Sequence, residues 1–263
     1  MSRLYIFGDS WALSPAEEFV DDPKAPQTWQ FELMDKLQCS KIQFAAGNGT
    51  SIDWAMHHYW KLHTEIKEND YIVFVMTHPS RTWLLQEHPE LANIWMNQKG
   101  WPISSQEKKA IEMYRRYLNN KENIVCRLKS ASIALSYDAM HRRAKVIQVP
   151  GFTYYDEGEL TSTMLFNPWC EVEGSLEIIG GENFDATDKL KAQVDMVTKS
   201  GTDNRLNHMT WDNHSILAEK LYQSFENRKP LHLQVGISND IIFNDVEEWK
   251  NYNSDILHNW KAI

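Results

Sequence analysis

The sequence predicts an α/β fold, a three-layer α/β/α sandwich around a mainly parallel central sheet. Apolar stretches of strand length alternate with amphipathic stretches of helix length, the pattern of successive βαβ units. Residues 71–76 read Y-I-V-F-V-M without interruption, as expected of a strand buried on both faces. The chain has 263 residues and 42% hydrophobic residues, which suits one large globular domain.

The elements follow in order along the chain. Strands are predicted over 3–7, 42–46, 71–76 and 145–149, and a strand-like piece over 240–243. Proline-broken, acidic residues 15–26 predict a loop. Helices are predicted over 29–37 after the N-cap Thr28, from Ser51 or Asp53 to about residue 67, over most of 104–143 with a break near 119–120, over 188–196 and over 215–225.

Residues 1–228 are predicted to form the domain, with a helical insertion at about 81–143. Residues 229–263 are predicted as a C-terminal extension that packs on the domain or on a partner, either a second copy or a virion component. No internal repeat or low-complexity segment interrupts this organisation.

Charge and composition exclude several classes of partner. The chain has 27 basic and 36 acidic residues, a net charge of −9, so it lacks the basic character that phosphate-backbone binding needs. No apolar run approaches the ~20 residues of a membrane span, and residues 4–7 are too short for a signal peptide. We expect a cytoplasmic protein that binds neither nucleic acid nor membrane.

The cysteines and the histidines clustered at 57–63 are expected to have structural roles. Cys39, Cys126 and Cys170 contain no C-x-x-C pair, so we expect small buried thiols rather than a disulfide or zinc framework. His57, His58 and His63 share a helix without a carboxylate at metal-ligand spacing, and we expect them to face solvent. No glycine-rich phosphate motif follows the first strand, so no nucleotide or other cofactor is predicted.

Three loops that carry polar residues each follow a strand. They span residues 8–10, 47–49 and 77–81. Because the carboxyl ends of parallel strands meet at one edge of the sheet, where ligands bind in such folds, the three loops should converge on a site.

Two motifs carry nucleophilic chemistry. Gly8-Asp9-Ser10 ends the first strand, where a serine hydroxyl can be exposed beside backbone donors. Residues 207–219, N-H-M-T-W-D-N-H-S-I-L-A-E, place His208 in a loop before a helix, as a candidate base for Ser10.

These two blocks resemble the SGNH (GDSL-type) hydrolases, a family of esterases, lipases and carbohydrate acetyl-esterases with a flavodoxin-like fold. The resemblance implies that Ser10 is the nucleophile and His208 the base. It also implies that Gly47, in A-A-G-N-G, donates its amide to the oxyanion. The residues that fit the family's C-terminal pattern in register are His208, Met209, Thr210, His214, Leu217, Ala218 and Glu219.

The chain departs from the family pattern at two positions. Arg205 stands three residues before the base, where the family has its acid; Asp203 or Asp212 could substitute, or a backbone carbonyl could leave a Ser–His dyad. The third block, G-x-N-D in the family, is T-H-P-S at 77–80, so its asparagine is absent. The residues that could supply the oxyanion donor instead are His78, Ser80, Arg81 and Asn48.

The resemblance predicts a serine esterase that removes a small acyl group, such as an O-acetyl group on a polysaccharide. The two departures favour an alternative: a scaffold that kept the fold, lost the chemistry and now binds a glycan or a structural partner. The G-D-S-W-A start and the variant third block are similar to SGNH-like proteins of bacteriophages, for which virion association would follow.

Arg81 and the tryptophans each allow two interpretations. Arg81 either forms an ion pair with an acidic loop, at Asp21 or Asp22, or holds a carboxylate or phosphate of a ligand. For the tryptophans, packing is favoured over a sugar-stacking platform. The set is Trp83, Trp95, Trp101 and Trp169.

Overall fold

The computed structural model describes residues 2–13, 28–47, 50–79, 81–83, 104–118, 120–152, 164–176 and 211–233. Its centre is a sheet of four parallel strands in the order β2-β1-β3-β4. The strands are β1 (Leu4–Gly8), β2 (Ile42–Ala46), β3 (Tyr71–Met76) and β4 (Lys145–Pro150). The four strands predicted at these places are confirmed, with ends that differ by at most one residue.

Five α-helices accompany the sheet in the part of the chain that the structure describes. Ser51 caps the second helix by accepting the Trp54 amide at 3.2 Å, and Asn120 caps the fourth by accepting the Asn123 amide at 3.0 Å. Asn120 thereby confirms the predicted break near 119–120. The helices are α1 (Trp29–Lys36), α2 (Ile52–Leu62, followed by a 3₁₀ turn at His63–Glu65), α3 (Ser105–Tyr117), α4 (Lys121–His141) and α5 (Trp211–Asn227).

Side chains alternate between the two faces of the sheet. Leu4 and Ile6 of β1 lie in the cluster that contains α1 and α5, whereas Tyr5 and Phe7 lie in the cluster that contains α2 and α4. All six residues of β3 are buried. Helices therefore cover both faces of a parallel sheet, which explains the uninterrupted apolar run and is consistent with a three-layer sandwich.

The strand order reverses at β1. From β1 the chain crosses to β2 on one side, and it later places β3 and then β4 on the other side. In parallel sheets this switch point opens a crevice beyond the carboxyl ends of the two central strands. By this rule a crevice is expected where β1 and β3 end, beyond Gly8 and Met76.

The range predicted as an insertion contains a helix of the core. α4 directly precedes β4 and buries Leu128, Leu135 and Ala139 against the sheet. Sequence analysis did not predict the small parallel pair of β5 (Val172–Glu173) and β6 (Leu231–His232), because two residues are too short to show a strand period. Leu231 and Leu233, the start of the predicted extension, are buried.

Several predicted elements lie outside the described residues. These are the loop at 15–26, the helix at 188–196 and the strand-like piece at 240–243. Among the helices that the structure describes, none combines the length and the apolar character that a membrane crossing needs.

The cysteines are three free thiols with different exposure. Cys170 is buried as predicted and Cys39 is half-buried, but Cys126 is exposed, so its predicted burial is wrong. The reason is helical geometry: Ile124 and Leu128 of α4 face inward, and residue 126, half a turn away from both, faces solvent. Burial raises the pKa of the Cys170 thiol to about 11.

Candidate functional site at the carboxyl edge of the sheet

Ser10 lies on a tight turn directly after the central strand β1. The Asp9 carbonyl accepts the amides of Ala12 and Leu13 at 3.0 and 3.1 Å, so the chain enters a helical turn as soon as the strand ends. Asp9 and Trp11 are buried on either side of Ser10, which is partly exposed. The turn therefore presents Ser10 at the edge of the sheet.

Gly8 permits this turn. Its φ of +144° lies in the range that side-chain-bearing residues rarely adopt, and an added Cβ would lie 2.8 Å from the Val75 carbonyl oxygen. Glycine is therefore needed where β1 passes close to β3 and the chain turns toward Ser10.

A buried ion pair lies beneath the turn. A terminal nitrogen of Arg81 is 2.6 Å from Oδ2 of Asp9, with side-chain exposures of 11% and 0%. The guanidinium also lies 4.6 Å from the centroid of the Phe152 ring. Arg81 is therefore ion-paired, as one interpretation predicted, but its partner is Asp9; the predicted partners Asp21 and Asp22 lie outside the described residues.

Arg127 of α4 holds the segment that carries Arg81. One terminal nitrogen donates to the carbonyls of Pro79 (2.6 Å) and Arg81 (2.9 Å). The other donates to the Thr82 hydroxyl (3.0 Å) and the Tyr114 hydroxyl (2.9 Å). That second nitrogen also lies 3.4 Å from a carboxylate oxygen of Asp53. One side chain thus fixes the backbone of the loop after β3.

The Gly47 amide is engaged with the end of β1. It donates to the Gly8 carbonyl at 3.3 Å, which also accepts the Thr50 hydroxyl at 3.1 Å. An added Cβ at Gly47 would lie 2.9 Å from the Thr50 methyl carbon, so glycine is favoured here. For the role that the resemblance assigns to it, the Gly47 amide must exchange the Gly8 carbonyl for a substrate oxyanion.

The beginning of α5 is tied to the Ser10 turn. Nδ1 of His214 accepts the Trp29 amide at 3.2 Å, and the Trp29 indole donates to the Trp11 carbonyl at 3.3 Å. Gln30 also donates to the Ala12 carbonyl at 3.1 Å. His214 is 1% exposed, and as an acceptor at Nδ1 its neutral ring carries the proton on Nε2. His214 therefore joins α1 to α5.

The structure brings together four of the residues predicted for the site. Ser10, Gly47, His78 and Arg81 all follow strand ends at one edge of the sheet, as predicted, so the described parts of the three loops meet there. Outside the described residues lie His208, Asp203, Asn48 and Ser80, and of Asp212 only the position in the first turn of α5 is described.

Sequence reasoning missed Asp9 and Arg127. A signal existed for Asp9, because it and Arg81 follow neighbouring strands and carry opposite charges. No comparable signal pointed to Arg127, which reaches the loop from α4, 46 residues beyond Arg81.

The other residues considered for binding have packing roles. The ring centroids of His58 and Trp54 lie 4.1 Å apart and those of His57 and Trp83 lie 4.9 Å apart, so these histidines are half-buried against tryptophans and do not simply face solvent as we expected. Burial lowers the pKa of His58.

Trp169 packs as predicted, donating to the Ser224 and Phe225 carbonyls; Trp95 and Trp101 lie outside the described residues. Among the described side chains, no group of three could hold a metal ion.

No protein-family model matches the chain, and no curated protein matches its sequence. What the fold and the edge residues define is an α/β protein with a parallel sheet and a serine-bearing turn at the switch point. The link to the SGNH hydrolases is carried by the sequence blocks alone.

Proposed function

We propose that this protein is a Ser–His ester hydrolase of the SGNH type. The observation that carries the proposal is the place of Ser10: a partly exposed serine on a tight turn at the end of β1, the strand at which the strand order reverses. Nucleophilic serines need such exposure together with nearby backbone donors and a base. The proposal includes the three-layer α/β/α sandwich of the SGNH family as the fold of this chain.

The proposed base is His208, three residues before the first residue of α5. Because α5 is tied through His214 and Trp29 to Trp11, its first turn lies near the Ser10 turn. Three extended residues span up to ~10 Å, and the proposal is that they bring His208 to Ser10. Asp203, Asp212 or a backbone carbonyl would orient the imidazole.

In the reaction, Ser10 Oγ attacks the acyl carbonyl carbon while His208 takes its proton. The amides of Ser10 and Gly47 stabilise the oxyanion, with His78, Ser80, Arg81 or Asn48 as the further donor that replaces the family's asparagine. Collapse expels the alcohol, which receives the proton from His208. Water, deprotonated by His208, then releases the acid and restores Ser10.

The proposed substrate is a small acyl ester, such as an O-acetyl group on a polysaccharide. This follows from the resemblance to carbohydrate acetyl-esterases, as does a bacteriophage origin. The reaction needs no cofactor. We place the protein in the cytoplasm, with virion association if it is phage-encoded.

Labelling with a fluorophosphonate probe tests the proposal, because the probe reacts covalently only with an activated serine. We expect the wild type to be labelled and both Ser10→Ala and His208→Ala to lose labelling. Ser40→Ala is the matched control, since Ser40 is exposed at the opposite edge of the sheet. Full labelling of Ser10→Ala would contradict the proposal.

A second candidate function is a non-catalytic scaffold that binds a glycan or, through residues 229–263, another copy or a virion partner. Its support is the engagement of the Gly47 amide with Gly8, together with the absent asparagine. A folded wild type that takes up no probe, yet binds acetylated polysaccharide, would favour this function.

A further inference from the structure

We propose that Arg127 and Arg81 act in series as positioning residues that hold the Ser10 turn from helix α4. The inference deepens the proposed function and rests on it, because the turn matters to the extent that Ser10 must be placed accurately. Neither arginine is a catalytic residue in this scheme: Arg127 positions the loop that carries Arg81, and Arg81 positions Asp9.

The first step is the link between Asp9 and the turn. One carboxylate oxygen of Asp9 accepts the Trp11 amide at 3.1 Å, and the other faces Arg81 at 2.6 Å. The carboxylate is fully buried, and a buried charge is stable only when it is paired. The orientation of Asp9, and with it the bond to the residue after Ser10, therefore depends on Arg81.

The second step decides between the two interpretations of Arg81. Its guanidinium is 11% exposed, lies over the Phe152 ring and faces the Asp9 carboxylate. The pair is neutral as a whole, so a ligand carboxylate or phosphate added to it would leave a net negative charge in a buried place. The geometry therefore favours a role for Arg81 in holding the Ser10 turn, rather than a role in binding an anionic ligand.

The third step is the attachment of the loop to α4. Arg127 donates from one nitrogen to two backbone carbonyls, those of Pro79 and Arg81, and from the other to the Thr82 hydroxyl. These hydrogen bonds use the rigid planar fork of the Arg127 guanidinium, which the single ammonium group of a lysine cannot reproduce. The nearby Asp53 carboxylate balances the charge.

Together the three steps connect a core helix to the proposed nucleophile. A catalytic group must be held within ~0.5 Å of its working position, and a displacement of about 1 Å can reduce the rate about 100-fold. Release of the loop at Arg127 is therefore expected to slow the reaction of Ser10 without removing any group that touches the substrate.

The test compares Arg127→Gln and Arg127→Lys with Arg142→Gln. Arg142 is a matched control because it is the C-cap residue of the same helix, is 21% exposed against 22% for Arg127, and also pairs with an aspartate, Asp138. We expect the rate of fluorophosphonate labelling to fall up to about 100-fold in both Arg127 variants. A change below twofold is expected in Arg142→Gln, and equal rates in the three variants would overturn the inference.

A second readout separates this inference from the proposed function. Hydrogen exchange, followed by mass spectrometry of a peptide covering residues 8–13, reports on the turn amides whether or not the protein is an enzyme. We expect faster exchange there in Arg127→Gln than in Arg142→Gln, with both variants folded by circular dichroism. Unchanged exchange would overturn the inference, even if labelling fell. A wild type without labelling but with this exchange difference would overturn the proposed function alone and support the positioning role.

Discussion

Two ion pairs, one at each edge of the central sheet, are buried to different extents. At the carboxyl edge, Asp9 and Arg81 are 0% and 11% exposed. At the amino edge, Lys145 and Glu226 pair at 3.0 Å with exposures of 20% and 38%. The chemical groups are similar, so the surroundings decide what each pair contributes.

The comparison shows where a charge determines local structure. Breaking a buried pair leaves an uncompensated charge, whereas an exposed pair exchanges its partner for water at little cost. At the amino edge, the hydrogen bond from Lys145 holds the pKa of Glu226 below its ordinary value. Burial alone would lower the pKa of Lys145, but hydrogen bonds to Glu226 and Tyr71 raise it overall.

The largest effect is expected from Arg81→Met, which leaves Asp9 buried without this partner. We expect a loss of about 3–5 kcal/mol in the free energy of unfolding, measured by urea denaturation. The double variant Asp9→Asn/Arg81→Met should lose less than the single variant, because the buried carboxylate charge is removed together with Arg81. A loss below about 1 kcal/mol in Arg81→Met would show that the buried pair contributes no more than a surface pair.

Gly8→Ala should have the next largest effect, also at the carboxyl edge. Alanine at a φ of +144° is strained, and its Cβ would meet the Val75 carbonyl oxygen, so about 1–3 kcal/mol of stability should be lost. Thermal unfolding measures this loss. Stability equal to the wild type would mean that the end of β1 can move away from β3.

Lys145→Met tests the amino edge and should cost at most about 1 kcal/mol, because the pair is partly exposed. The loss should shrink in high salt, which screens exposed charges. Urea denaturation at low and high salt is the measurement. A loss as large as that of Arg81→Met would remove the distinction between the two pairs.

The smallest effect is expected in the pH dependence of the stability difference between wild type and Lys145→Met. The pKa of Glu226 is lowered from 4.5, so its contribution is present above pH 4.5 and is lost as the pH falls through the folded-state value. The pKa of Lys145 is raised from 10.5, so its contribution is lost only as the pH rises beyond that value. The stability difference between wild type and Lys145→Met should therefore be constant near neutral pH and decrease in acid. A difference that grows in acid would contradict this sign.

Much of the fold could be predicted because the relevant signals are local. Continuous apolar runs identified β1 and β3, Ser51 was one of two candidate starts of α2, and Asn119-Asn120 indicated the break before α4. A strand that is buried on both faces has apolar residues at nearly every position, and a helix N-cap depends only on amides a few residues further along the chain.

Other features could not be predicted because they depend on distant parts of the chain. β5 and β6 pair two-residue segments about sixty residues apart. The exposure of Cys126 depends on which side of α4 meets the sheet. The packing of His57 depends on Trp83, which comes from the segment after β3.

The sequence by itself determined the parallel α/β sheet and the edge at which Ser10, Gly47 and Arg81 gather, because strand ends and turn residues are local properties. The tertiary structure decided how the charges at that edge are paired. Asp9 meets Arg81 across 72 residues, and Arg127 reaches the same loop from α4. Such pairings depend on where loops end in space, and for that reason only the folded chain could show that Arg81 faces Asp9.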